Sequence, residues 1–113
     1  MTAFEVRATG DAFVVEIDDE LDAMTVGALE GAIAEAERRA AADGRVVVSL
    51  ERCGYCDSSS ISVILRAWRR LPERFFVVVP PLGQCRRIFE ITSIAQQPFV
   101  VDDVPEALSK ISA

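Results

Sequence analysis

Two short runs constrain this chain more than anything else in it: Val46-Val47-Val48-Ser49-Leu50 and Phe75-Phe76-Val77-Val78-Val79. Both are rich in β-branched and aromatic side chains, and both are apolar almost throughout. A strand with one wet face alternates polar and apolar residues, whereas a run without alternation is buried on both faces at the centre of a sheet. Between the two runs lies a helical pattern from about Ser59 to Leu71. Ile61, Ile64, Leu65 and Trp68 fall at core spacing in it, and Arg66, Arg69 and Arg70 lie largely outside. Pro72 ends the helix. Strands separated by helices predict parallel pairing through a crossover.

The flanks extend the pattern. Phe4 to Ala8 and Phe13 to Ile17 read as strands joined by a turn at Thr9-Gly10-Asp11, hence a hairpin. An acidic loop, Asp18-Asp19-Glu20-Leu21-Asp22, leads into a long helix from about Met24 to Ala42, with Asp22 suited to cap it. Met24, Ala28, Leu29, Ala32, Ile33, Ala36 and Ala40 are spaced to face the sheet, and Asp43-Gly44 stops the helix. After the second buried run, Pro80-Pro81-Leu82-Gly83 turns the chain into a short helix, Gln84 to Ile91. Phe99-Val100-Val101 is a last strand. Asp102-Asp103-Val104-Pro105 opens a helix ending near Ile111, with Asp103 as its cap. The order β-β-α-β-α-β-α-β-α predicts an α/β fold in one domain over residues 1–113. It is a small mixed sheet of four to five strands with about four helices and an antiparallel N-terminal strand.

Charge narrows the function classes. The 113 residues carry a net −6, which argues against direct nucleic-acid binding, a process that rests on cationic surface. Residues 1–51 hold 12 acids and 4 bases, and residues 52–113 hold 6 acids and 8 bases. Arg66, Arg69, Arg70, Arg74, Arg86 and Arg87 read as a solvated surface with internal ion pairs, contact with a protein partner being the alternative. No apolar run approaches the roughly 20 residues of a membrane span. Met1-Thr2-Ala3-Phe4-Glu5 lacks a signal-peptide pattern, so a cytoplasmic location without membrane attachment is expected.

The chain has no histidine, which removes the commonest general base and a common metal ligand. No nucleophile elbow, P-loop or dinucleotide fingerprint occurs, so no catalytic residue is identified and neither enzymatic activity nor a cofactor is expected. Cys53-Gly54-Tyr55-Cys56, with the distant Cys85, is half a zinc site at most. A thioredoxin-like redox role requires the motif at a helix start, and here it lies several residues upstream. Buried small apolar filling is the favoured reading of the three thiols. Asp18, Asp19, Glu20 and Asp22 lack the glycine and spacing of a calcium loop. No metal site is expected.

Asp57-Ser58-Ser59-Ser60 stands at the entrance to the middle helix. Small hydroxyls cap helices at such junctions, so one of the three serines is expected to cap this one. The free N–H groups there also attract anions, so a phosphate on an exposed hydroxyl would be well received.

Order and spacing tie these segments to a known family. The stretch Arg45-Val-Val-Val-Ser-Leu-Glu-Arg-Cys-Gly-Tyr-Cys-Asp-Ser-Ser-Ser-Ile-Ser-Val-Ile-Leu resembles the core signature of the STAS domain, most closely that of bacterial anti-sigma factor antagonists. Asp19-Glu20-Leu21-Asp22 resembles the family's Gly-Glu-Leu-Asp loop, and Pro80 to Thr92 its third-helix segment.

The resemblance implies a regulatory protein that binds an anti-sigma factor with kinase activity and is switched off by phosphorylation of the serine after the aspartate. That serine is Ser58 here, with Ser59 the second choice. Asp22, Asp57, Ser58, Ser59 and Ser60 are the implied partner-binding residues, in a monomer or weak homodimer. The alternative is a STAS-like binding module of a stressosome or of an ABC transporter ATPase. At four positions the chain departs from the family pattern: Ser60, Asp19 and Ser93 stand where glycine is usual, and Ser49 where an acid is.

Overall fold

The computed structural model describes residues 4–110. Both buried runs are central strands. β1 (Phe4–Thr9), β2 (Ala12–Ile17), β3 (Arg45–Ser49), β4 (Phe75–Val78) and β5 (Val100–Val101) form one sheet in that spatial order. β1 pairs antiparallel with β2, and every other pair is parallel. The helices are α1 (Val26–Arg39), α2 (Ser58–Arg70), α3 (Gln84–Ile91) and α4 (Val104–Ser109). The expected mixed α/β architecture and element order are present.

Register explains why the central strands do not alternate. Val46 lies between Phe13 and Phe75, and Val48 between Val15 and Val77, on one face. Arg39 of α1 sits over the Phe13 ring, and Trp68 of α2 stacks on Phe99, 4.5 Å between centroids. Val47, between Val14 and Phe76, points to the opposite face, which α4 closes against β3, β4 and β5. Val46, Val47 and Val48 are therefore wholly buried, each side chain contributing about 1.5–3 kcal/mol relative to exposure.

Several boundaries shift for identifiable reasons. α1 begins at Val26 and ends at Arg39, shorter than the expected Met24 to Ala42. The Asp22 carboxylate takes the N–H groups of Met24 (2.9 Å) and Thr25 (3.2 Å), so the chain is still turning there. Met24 is consequently 92% exposed, and Ala28 is also exposed, contrary to the core facing expected of both. In α2, Ile61 and Ile64 are buried as expected, Leu65 and Trp68 are half-buried, and Val63 and Ala67 join the core. α2 touches both α1 and the sheet, so its apolar stripe is wider than one seam. Asp103 caps α4 through the Glu106 N–H (2.8 Å). The expected helix end at Ile111 lies outside the described residues.

The charge asymmetry along the chain is largely settled inside the fold. Glu30–Arg66 (3.3 Å), Glu37–Arg70 (2.6 Å) and Asp18–Arg52 (3.2 Å) each join an acid of the first half to a base of the second. Arg74 donates to the carbonyls of Gly44 (2.7 Å) and Ala41 (3.1 Å), beyond the C-terminus of α1. Arg86 donates to the Val79 and Pro80 carbonyls and pairs with Asp102. Arg74 and Arg86 thus serve opposite ends of β4, while Arg66 and Arg70 join α2 to α1.

α3 ends with Ser93 in the left-handed region, φ 64°. The Ser93 N–H bonds Glu90 O (3.0 Å), and the Ile94 N–H bonds Phe89 O (2.9 Å). This is the glycine-favouring close of a helix, at the position where the resembled family carries glycine.

Candidate functional site

The site is assembled where the loops after β2, β3 and β4 meet. Asp57 is the N-cap of α2. Its Oδ1 accepts the Ser59 hydroxyl (2.7 Å) and the N–H groups of Ser59 (3.0 Å) and Ser60 (3.2 Å). Ser60 completes a capping box: its Oγ accepts the Asp57 N–H (3.2 Å) and donates to the Asp57 carbonyl (2.7 Å). The Ser59 hydroxyl is the largest influence on the Asp57 carboxyl, and burial, which opposes it, is the next; together with the N–H groups of Ser60 and Ser59 the hydroxyl prevails and holds the carboxyl below its ordinary pKa.

These bonds separate three serines that look alike in sequence. Ser60 is wholly buried inside the cap. Ser59 is half-buried with its hydroxyl committed to Asp57. Ser58, the first residue of α2, is exposed, and its hydroxyl has no partner among the described residues.

A second box of the same form stands beside the first, in the turn before α1; Asp22 therefore caps that turn and not α1 itself, whose N-cap position is Thr25. Asp22 Oδ1 accepts Met24 N–H and Thr25 N–H, and Thr25 Oγ1 accepts Asp22 N–H (3.0 Å). The Asp22 carbonyl takes the Val26 N–H (2.9 Å) at the entry to α1. The two boxes are joined by main chain. Leu21 N–H donates to the Tyr55 carbonyl (2.8 Å), and Asp57 N–H donates to the Leu21 carbonyl (3.1 Å), forming a parallel bridge between Leu21 and Cys56. Gln84, the first residue of α3, clasps the other side: its Oε1 accepts Cys56 N–H (2.9 Å) and its Nε2 donates to Cys56 O (3.2 Å).

Asp22, Asp57, Ser58, Ser59 and Ser60 are therefore brought together, with Ser60 inside rather than on the surface. Reasoning from sequence missed Thr25, Gln84 and the Leu21–Cys56 bridge. The repeated spacing Asp22-x-x-Thr25 and Asp57-x-x-Ser60 is a capping-box signal that could have found the first. Nothing local marks Gln84. Exposed apolar side chains surround the junction: Met24 in the second box, Tyr55 (40% exposed) on the bridged loop, and Leu82 (87%) two residues before Gln84. The acidic run lies alongside, with Asp18 paired to Arg52 and Asp19 accepting the Glu20 N–H. Among the described residues no group of three His, Cys, Asp or Glu side chains is placed to hold a metal ion, and no helix is long and apolar enough to cross a membrane.

Comparison with known proteins agrees with this architecture. The fold resembles an anti-sigma factor antagonist from Mycobacterium paratuberculosis, with a TM-score of 0.80 at 22% identity over 94% of this chain and 90% of that one. It also resembles an anti-sigma-factor antagonist (STAS) domain protein from Planctomyces limnophilus, with a TM-score of 0.75 at 20% identity over 96% of each chain. The Bacillus cell fate determinant SpoIIAA in its phosphorylated form matches with a TM-score of 0.62 at 21% identity over 94% of this chain and 96% of that one. A search of the curated proteins finds no match. The sequence model of the family described as "Mlab, STAS domain" matches residues 4–102, and the chain belongs to the STAS domain family.

Proposed function

We propose that the chain acts in the bacterial cytoplasm as an anti-sigma factor antagonist, binding an anti-sigma factor with kinase activity and released from it by phosphorylation of Ser58. The observation that carries this reading is the sorting of the serines: Ser58 alone offers an exposed, uncommitted hydroxyl, at the first position of α2. The first turn of α2 contains no acidic residue, so within the helix start the charge is opposed only by the N-cap carboxylate of Asp57. Partner-facing groups would feel the phosphate differently. It adds about −1.5 to −2 charge beside Asp22, Asp57 and the exposed Met24, Tyr55 and Leu82. A docked partner would then lose apolar contact to desolvation and repulsion. A relative of the same fold known in a phosphorylated form supports the reading.

The test is incubation with the cognate anti-sigma kinase and Mg-ATP, followed by phosphosite mapping. Phosphate on Ser58, lost in Ser58→Ala, is expected, together with affinity for the anti-sigma factor that falls at least about tenfold in Ser58→Glu. Absence both of binding and of phosphate within residues 58–60 would sink the proposal.

A second reading, a STAS-like regulatory subunit of an ABC transporter ATPase or a stressosome component, is favoured by three observations. Ser60 and Ser93 replace expected glycines, and the matching family description is "Mlab, STAS domain". Co-purification with a transporter ATPase, with no affinity for a sigma regulator, would select it.

A further inference from the structure

The C-x-x-C motif of the sequence is not the pair that the fold brings together. Cys85, at the start of α3, places its Sγ 3.8 Å from that of Cys53. Its thiol is also directed at the Cys53 carbonyl, 3.4 Å away. The Cys53 thiol donates to the Tyr55 carbonyl (3.1 Å), the same carbonyl that holds Leu21 N–H. Cys56 is wholly buried, its N–H and carbonyl both engaged by Gln84. All three cysteines are free thiols.

From this contact we propose that Cys53 and Cys85 form a reversible dithiol–disulfide pair that cross-links the loop preceding Ser58 to the first turn of α3. A disulfide requires its sulfurs at about 2.05 Å, so the two must close by less than 2 Å from van der Waals contact. Cys53 lies in a connecting loop, where such a movement is accommodated more readily than within a helix.

With a peroxide as oxidant, the Cys53 sulfur attacks one peroxide oxygen. The S–O bond forms, the O–O bond breaks, and the leaving oxygen departs as water with the thiol proton. The Cys85 sulfur then attacks the Cys53 sulfur: the S–S bond forms, the S–O bond breaks, and a second water carries off the second thiol proton. Two thiols lose two electrons in all, and one peroxide is reduced to two waters. Thiol reductants reverse the step by exchange.

The environment keeps both thiols protonated and so slows their attack on an oxidant. The hydrogen bond with Cys85, then burial, raises the Cys53 pKa far above its ordinary value. For Cys85, contact with Cys53 lowers the pKa, but Cys56 beside it and burial outweigh that and push it up to about 12. Oxidation is therefore slow unless the loop opens. Its consequence is structural: the crossed link falls four residues before the Asp57 cap, so the loop can no longer move independently of α3. This inference stands on the thiol geometry and does not depend on which partner the protein serves.

The experiment uses the full chain, folded and at low micromolar concentration. It is treated with hydrogen peroxide, alkylated, and digested without reduction for disulfide mapping by mass spectrometry. A 2 Da mass loss and a Cys53–Cys85 linked peptide, both reversed by dithiothreitol, are expected. Cys56→Ala should keep the link and Cys85→Ala should abolish it, with circular dichroism confirming that each variant is folded. The mapping of the unaltered chain decides the matter should either variant fail to fold. Hydrogen exchange of residues 50–57 should slow by about tenfold in the oxidised form. A dominant Cys53–Cys56 link, a Cys56–Cys85 link, over-oxidised single thiols, or no reaction with the folded chain would each overturn the proposal.

Discussion

At the scale of single residues, most of the local order near the helix entrance hangs on one carboxylate. Asp57 satisfies two N–H groups and a hydroxyl, so Asp57→Ala should cost about 1–2 kcal/mol by urea denaturation, while Asp57→Asn should cost only a few tenths. The pH dependence has a definite sign. The folded carboxyl titrates below its ordinary 3.8, so its contribution is complete above that value and is lost as pH falls through the lower folded pKa. The stability gap between the natural chain and Asp57→Asn should therefore narrow as pH falls below the ordinary carboxylate value and through the lower folded one. Ser93 offers a change in the other direction. A non-glycine residue at φ 64° is strained, and Ser93→Gly should stabilise the fold by about 0.5–1 kcal/mol, the greater freedom of glycine when unfolded offsetting part of the relief. A cap in this stretch was legible because its chemistry is local, although the residue that fills it is Asp57 and not one of the serines. The different fates of Ser58, Ser59 and Ser60 were not, because three identical side chains are distinguished only by which of them the helix turns inward.

At the scale of elements, α2 joins the site to the core. Its outer end carries Asp57 and Ser58, and its length is anchored by Ile61, Val63, Ile64 and Ala67. Ile64 is wholly buried, so Ile64→Ala should cost about 2–5 kcal/mol and lower the melting temperature measurably by calorimetry. Ser58→Glu should leave that temperature nearly unchanged, because an added negative charge at a helix N-terminus is tolerated. The contrast between the two variants separates loss of fold from loss of docking. The strands and helices of this chain were readable because burial on both faces leaves a plain apolar run, as in Val46 to Val48. Met24 was misplaced because its spacing continues the helical period of α1, whereas an aspartate two residues earlier diverts the backbone before the helix begins. Periodicity records what a helix would bury and is silent about where a competing hydrogen bond delays it.

At the scale of the whole molecule, each strand lies beside its neighbours in the chain, and the parallel strands send the loops that follow them to one end. That end gathers Met24, Tyr55 and Leu82 around Ser58, although no local pattern links these positions in sequence. Exposed apolar side chains at a loop junction suit a docking core, so Leu82→Asp should weaken partner binding by at least about tenfold in calorimetric titration. Leu82 is 87% exposed, so its melting temperature should stay within about 2 °C of the natural chain's. The junction itself is held by Leu21 N–H to Tyr55 O and Asp57 N–H to Leu21 O, main-chain contacts that, of replacements at positions 21 and 55, only proline at position 21 would remove directly. A seam stitched from main-chain atoms is indifferent to most amino-acid replacement. Drift can therefore rewrite the recognising side chains, and with them the choice of partner, while the three loops keep their mutual placement; folds of this shape persist at about one identical residue in five.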